Sequence, residues 1–291
     1  MERYREIIDD WDGFREECRR EPLTAVRRNP LKAGEGFEDE LRGWFEDVEQ
    51  ADWNPDVFRL PGEKKPGKSL LYWRGEYYVQ EESASLPVEV LSPGKGEKIL
   101  DMCAAPGGKT TQIAAEIENE GLVVANDDNA RRMKSLHSNV YRTGSACVTA
   151  TNRDGRQIPG SGKFDRVLVD APCSGEGNNA RRTFESSDQH ERESLPELQY
   201  QLLERAADLV RDSGTVVYST CTFAPEENEE VVLRALEETG MELEEIETGV
   251  EHSRGVREFD GSTYGEEMLK TVRVYPHQMR SGGIFVAKFR A

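Results

Sequence analysis

Apolar positions recur along this chain in two rhythms. Six short runs are dominated by β-branched and aromatic residues: KILDMC (98–103), LVVAND (122–127), ACVTAT (146–151), FDRVLVD (164–170), GTVVYST (214–220) and GIFVAKF (283–289). Their length and composition predict strands. Between them, residues 108–118, 129–141, 194–212 and 226–239 carry apolar positions at helical spacing. Alternating β and α units of this size predict an α/β fold, a mostly parallel sheet with helices on both faces. The last strand follows a long acidic and Gly-rich passage instead of a helix, which leaves it free to run antiparallel. Residues 1–80 differ: short helical patterns are broken by Pro and Gly, and all four Trp lie there. This divides the chain into a small α+β domain over 1–80 and a larger domain over 81–291.

Composition adds a surface to that picture. The 291 residues hold 56 Asp+Glu against 38 Lys+Arg, a formal charge of −18. Such a balance argues first against a nucleic-acid partner, because phosphate contacts need Lys and Arg. Net charge is an average, however, and local patches escape it. Residues 15–32 hold six basic and three acidic side chains, and residues 59–74 hold five and one. With 27 Arg but only 11 Lys, the surface also resembles those of salt-loving microbes. No apolar run approaches the roughly 18 residues a membrane span needs, and the N-terminus lacks the apolar core of a secretory signal. The five cysteines, at 18, 103, 147, 173 and 221, include no C-x-x-C pair. That predicts neither a metal site nor a disulfide framework, and a reducing, cytoplasmic location.

Candidate chemistry sits at the strand ends. The first strand of the larger domain runs into Cys103-Ala104-Ala105-Pro106-Gly107-Gly108-Lys109 and then a helix. A glycine turn there lets a ligand approach the backbone and the helix N-terminus. A phosphate-binding loop would need a glycine at 103, where Cys stands, so a nucleotide hydrolase using Gly108-Lys109-Thr110 has an incomplete cradle. Asp127 ends the second strand, placed to accept ribose hydroxyls. Asp154 follows the third and is suited to an adenine amino group. Three such features in order predict an adenosyl ligand.

Cys173 and Cys221 each follow directly on a predicted strand. If those two strands are neighbours, both thiols face one cleft, outside the carboxyl ends of the sheet. Two thiols beside an adenosyl ligand suit methylation of carbon 5 of a pyrimidine. A thiolate adding to carbon 6 makes carbon 5 nucleophilic, and the adduct must afterwards be released. Asp170 would hydrogen-bond the base and support ring nitrogen 3 as charge develops. This reasoning does not say which cysteine attacks.

ILDMCAAPGGKT (99–110), VANDDNARR (124–132), RDGR (153–156), FDRVLVDAPCSGEG (164–177), VVYSTCTFAPEENEEVV (216–232) and PHQMRSGGIFVAKF (276–289) together resemble the Sun family of RNA cytosine-C5 methyltransferases. The resemblance covers about residues 77–291. It implies a Rossmann-like class I methyltransferase with a seven-stranded sheet, S-adenosyl-L-methionine as cofactor, and RNA as partner, with tRNA favoured over rRNA. By the resemblance Cys221 is the nucleophile and Cys173 assists release. The cofactor contacts fall on residues 103–109, Asp127, Arg131, Asp154 and Asp170. The N-terminal domain then binds RNA, although RRNPLKA (27–33) matches the family's pattern only loosely. Arg181 and Arg182 are placed to meet a phosphate. A monomer is expected, with no RNA-binding domain after the last strand. A noncatalytic RNA-binding scaffold on the same fold is the other reading.

Overall fold

The computed structural model describes residues 1–20, 23–60, 65–178 and 189–291, with side chains in the last segment from Ser194 onward. Arg181 and Arg182, and parts of both basic stretches, lie outside the described residues.

Helix α1 (Trp11–Glu17) is capped by the Asp10 carboxylate, which accepts from the Gly13 N–H. Four strands follow: β1 (Thr24–Arg28), β2 (Glu49–Ala51), β3 (Asn54–Leu60) and β4 (Tyr77–Gln80). They form an antiparallel sheet in the order β2-β3-β1-β4. Helix α2 (Phe37–Trp44) covers one face, burying Phe37 and Leu41 against Val26, Phe58, Leu60 and Tyr77. Helix α3 (Leu70–Arg74) leads back into β4.

Residues 1–20 do not join that sheet. Tyr4, Ile8, Trp11, Phe14 and Cys18 pack into the core beneath the larger sheet, with Phe14 edge-on to Phe223 and Tyr275. The basic stretch 15–32 is therefore two places: Arg20 pairs with Glu16 and Glu17 on α1, while Arg27 and Arg28 belong to β1.

After helix α4 (Leu86–Leu91) the central sheet begins. Its strands are β5 (Lys98–Asp101), β6 (Leu122–Asn126), β7 (Val148–Thr151), β8 (Phe164–Asp170), β9 (Val210–Thr220), β10 (Glu242–Glu244), β11 (Ser253–Arg254), β14 (Val272–Val274) and β15 (Ile284–Arg290). A separate hairpin pairs β12 (Glu258–Phe259) with β13 (Ser262–Thr263). The helices between are α5 (Gly108–Glu116), α6 (Met133–Thr143), α7 (Gln189–Leu209), α8 (Glu229–Thr239) and α9 (Pro276–Met279). The order β11-β14-β15-β9-β8-β5-β6-β7 has β7 to β9 mutually parallel through β6, β5 and β8. As anticipated, β15 lies antiparallel to β9. The sheet is thus mixed, with nine strands: β10, β11 and β14 extend it in antiparallel pairing where the sequence shows only an acidic, Gly-rich passage.

Both faces of the inner strands are buried, so alternate residues feed different cores. Val167, Val169, Val216 and Tyr218 join the core holding Phe14 and Leu203. Leu168 and Val217 face the opposite core with Leu86, Ile113 and Val286. This explains why FDRVLVD and GTVVYST read as near-continuous apolar runs.

Candidate active site

Strands β5 and β8 are neighbours, and β8 pairs in turn with β9, in register from Arg166↔Thr215 to Asp170↔Ser219. Their carboxyl ends therefore lie side by side. This brings Cys173 and Cys221 together: the two Sγ atoms are 3.2 Å apart, and the Cys221 N–H donates to Cys173 Sγ at 3.3 Å. Asn178 Nδ2 donates to Cys221 Sγ at 3.2 Å. Contact with Cys221, then burial, pushes the Cys173 thiol well above its ordinary value. Cys173 therefore stays protonated at neutral pH and can donate to a thiolate beside it.

The two cysteine loops are tied from behind. Buried Glu227 accepts from the Ser174 N–H at 3.0 Å and from Gln199 Nε2 at 2.8 Å, while the same Gln199 amide donates to Pro172 O at 2.9 Å. Asn228 accepts from Thr220 Oγ1 at 2.6 Å and donates to Thr222 O at 3.0 Å. Ser174 and Thr222 hydroxyls meet at 2.7 Å. Arg273, itself buried and paired with Glu229, donates to Phe223 O at 2.9 Å. Each loop is thus held to the other by several side chains, which fixes the distance between the sulfurs.

Asp170 lies between this pair and the glycine turn. Its Oδ2 accepts from Lys109 Nζ at 2.7 Å and its Oδ1 from Ser219 Oγ at 2.8 Å. Burial lowers the affinity of Lys109 for its proton, but the charges of Asp170, Cys221 and Asp101 outweigh it and the net shift is upward. Lys109 is therefore a fixed cation in the cleft. Beside it, Asp101 ends β5. Burial pushes its carboxyl up to about 7; Oδ2 accepts from Thr110 Oγ1 at 2.7 Å, and Oδ1 has no partner.

A cavity of about 540 Å³ runs from the cysteines to the ends of β6 and β7, lined among others by Met102, Asp127, Asp154, Cys173, Leu202 and Cys221. A second hollow of about 240 Å³ is lined by Tyr78, Asp101, Ala104, Gly108 and Lys109, and shares Cys103, Ala105, Pro106 and Asp170 with the first. Gly107 makes the turn between them, at φ 106°, a conformation few other residues tolerate. Asp127 is buried and braced: it accepts from the N–H groups of Ala105 at 3.1 Å and Asn129 at 3.0 Å. Asp154 accepts from the Arg156 backbone and guanidinium, the pairing that holds its carboxyl below the usual range.

The structure thus brings together the glycine turn, Asp127, Asp154, Asp170, Cys173 and Cys221. Arg131 is not among the residues lining either cavity; its neighbour Arg132 is, donating to Ala105 O and lying 3.5 Å from Asp127. Both arginines lie in the turn that leads into α6 (Met133–Thr143), and there the residue on the cavity wall is Arg132. Burial raises the Cys103 thiol far above its ordinary value, so it contributes shape and backbone. Asp101, Asn178, Glu227 and Asn228 were not singled out in the sequence. Glu227 and Asn228 sit in the PEEN run, and Asp101 in KILD, so their positions were visible though their partners were not.

A family model described as 16S rRNA methyltransferase RsmB/F matches residues 88–290, and one for the N-terminal domain of 16S rRNA methyltransferase RsmF matches 1–82. The chain is 34% identical over 304 residues to a tRNA (cytosine(49)-C(5))-methyltransferase of Pyrococcus abyssi, covering 100% of this chain and 94% of that protein. It is 40% identical over 232 residues to the 28S rRNA (cytosine-C(5))-methyltransferase of Mus musculus, covering 77% of this chain and 29% of that one. The chain spans 28% to 38% of the length of the eukaryotic rRNA relatives it matches. Among solved structures, a methyltransferase homologue from Pyrococcus horikoshii superposes with a TM-score of 0.85 at 28% identity, over 97% of this chain and 90% of that one. With its cysteine loops and glycine turn embedded in a match over residues 88–290, the chain belongs to the RsmB/F family of methyltransferases.

Proposed function

We propose that this protein is an S-adenosyl-L-methionine-dependent RNA cytosine-C5 methyltransferase in which Cys221 attacks and Cys173 assists release. The observation that carries the reading is the pair of sulfurs 3.2 Å apart on the same cavity as Asp127 and Asp154. The residues present fit the cofactor. Asp101 Oδ1 is buried without a partner beside the smaller hollow, as an acceptor for an ammonium group would be. Asp127 lies at the tip of β6, where ribose hydroxyls are accepted in such sheets. Met102, Leu198 and Leu202 offer apolar walls for a base, with Asp154 at its edge. When bound, S-adenosyl-L-methionine supplies an electrophilic methyl group.

The chain's own part follows from the distances. A thiolate on Cys221 receives the Asn178 amide and faces the protonated Cys173 thiol. It adds to carbon 6 of the cytosine. Asp170, held by Lys109, accepts from the exocyclic amino group, and the Lys109 cation balances the negative charge developing at ring nitrogen 3. Restoring the base breaks the carbon 6–sulfur bond as Cys173 passes its thiol proton to the departing Cys221 sulfur, and the Cys173 thiolate so formed takes the carbon-5 proton. A paired cytosine must first leave its stack.

We infer tRNA as the substrate: the tRNA relative aligns along nearly its whole length, whereas the eukaryotic rRNA relatives align along a minor part of theirs. Bisulfite sequencing of total RNA from a deletion strain tests both levels. A cytosine that loses protection in tRNA supports the full reading, one in rRNA changes the substrate, and none anywhere sinks the activity.

A further inference from the structure

Asp and Glu are spread unevenly along this chain. About one residue in five is Asp or Glu, yet residues 129–153 contain none. Residues 23–34 and 65–75 contain none either. These three segments come from both sheets, and the fold knits them together. Asn29 Nδ2 donates to Gly75 O at 2.7 Å and to Thr143 O at 2.8 Å, joining all three. Arg142 donates to Tyr72 O at 2.9 Å and Tyr77 O at 3.0 Å, and lies over the Tyr72 ring. The approach is close enough that a Cβ at Gly75 would stand 1.9 Å from Arg142 O. Lys32 reaches across to Gly144.

The resulting face carries the wrong sign for this protein. Lys32, Lys65, Lys68, Arg131 and Lys134, all in these three segments, are exposed and form no ion pair with a described residue. Three flanking acids are engaged: Glu40 and Glu76 with Arg74, and Asp56 with Arg28; Glu35 is exposed beside the first segment. Asp128 is exposed at the cleft end. The same face holds the most exposed large apolar side chains among the described residues: Tyr141 at 89%, Trp73 at 69% and Leu70 at 61%. Single exposed apolar residues need no explanation. Two aromatics among unpaired cations do, since that is how bases are stacked and phosphates neutralised. The face also leads somewhere. Helix α6 begins beside Arg132 on the cavity wall, and Asn139 donates to Pro106 O at 3.0 Å in the glycine turn.

We propose that this acid-free face, built from residues 23–34, 65–75 and the outer side of α6, is the track that leads substrate RNA to the cysteine cleft. Trp73 and Tyr141 are its stacking platforms for unpaired bases. The proposal rests on the methyltransferase reading above, and places half of the RNA surface on the larger domain instead of on residues 1–80 alone. A second copy of the chain is the competing occupant.

The test uses the full chain, an unmodified tRNA transcript carrying a fluorophore, and two double variants: Trp73→Ala/Tyr141→Ala and Lys68→Glu/Lys134→Glu. All four residues are exposed, and unchanged melting temperatures confirm folding. For the aromatic pair the account expects RNA affinity to fall about fivefold or more per ring, with the salt slope unchanged. For the lysine pair it expects weaker binding and a log–log salt slope shallower by about 0.7 to 0.9 per lysine. Both variants should raise KM for RNA with kcat within about twofold, while Lys270→Glu, a lysine on another part of the surface already paired with Glu267, changes neither. Unchanged RNA binding and KM in both variants overturn the proposal. So does loss of a sedimenting dimer with RNA binding intact, which would assign the face to a second copy. If the wild-type chain methylates no RNA, the methyltransferase reading fails by itself, and transcript binding still reports on the face.

Discussion

The two ends of the large cavity are built differently. At the cysteine end, every loop is held by a second layer: Glu227, Asn228, Gln199 and Arg273 each bridge separate segments. At the opposite end, Asp154 lies partly open to solvent and, among the described residues, its side chain is held by its near neighbour Arg156. Asp127 stands between these extremes, buried but satisfied by local backbone N–H groups. The difference matches what each end must do. Two sulfurs and a base must be held within a few tenths of an ångström for a covalent step, whereas a cofactor's ribose and adenine tolerate a looser frame that opens for exchange.

That contrast predicts a gradient of effects. Cys221→Ala should reduce methyl transfer on the order of 10⁴-fold or more while leaving cofactor binding intact, measured with labelled S-adenosyl-L-methionine. Next comes Glu227→Ala, which removes the acceptor of the Ser174 N–H and one of the two bonds made by the Gln199 amide; two such losses cost about 2–4 kcal/mol. Its melting temperature and kcat should fall together, and a variant that keeps both would show the second layer to be dispensable. At the other end, Asp127→Ala should raise KM for the cofactor roughly tenfold or more, as loss of hydrogen bonds to a charged group does, with little change in kcat. Asp154→Asn should shift the same constant only a few-fold. If Asp154→Asn lowers kcat more than Asp127→Ala does, the gradient is wrong.

Asp101 gives the comparison a pH axis. Its carboxyl is raised from the ordinary 3.8 to about 7 by burial. A raised acid is held protonated by the fold, so its contribution to stability is present below about pH 4 and is lost as pH climbs to about 7. Binding a cation at Asp101 favours the ionised form. Cofactor affinity should therefore rise with pH up to about 7 and level off, and Asp101→Asn should flatten that rise. An affinity independent of pH in the wild-type chain would remove Asp101 from the cofactor site. The smallest expected effect is from salt: stability should improve as the −18 surface is screened, while RNA binding weakens.

The strand ends were legible in the sequence because burial on both faces leaves unbroken apolar runs. FDRVLVD occupies β8 with the boundaries read for it. Residues 210–212, read as helix, instead begin β9, because Val210 pairs with Phe164 before the register shifts. The two- and three-residue strands β10, β11 and β14 are too short to show a period. The packing of residues 1–20 onto the larger core was equally hidden, since Tyr4, Trp11 and Phe14 are apolar without saying against what. In the site, the cysteines and acids at strand ends could be named from topology. Glu227 and Asn228 could not, because a carboxylate that ties two loops looks in sequence like one more Glu in an acidic run. The same blindness applies to the acid-free face, whose three segments are joined through Asn29 and Arg142.

The central claim is the division of labour between the two sulfurs. Denaturing gel electrophoresis of the Cys173→Ala protein incubated with substrate RNA and S-adenosyl-L-methionine tests it directly. A slow-migrating covalent protein–RNA band that persists with Cys173→Ala and vanishes in the Cys173→Ala/Cys221→Ala double variant is the predicted result. A band that forms with Cys221→Ala and is lost with Cys173→Ala would contradict the account.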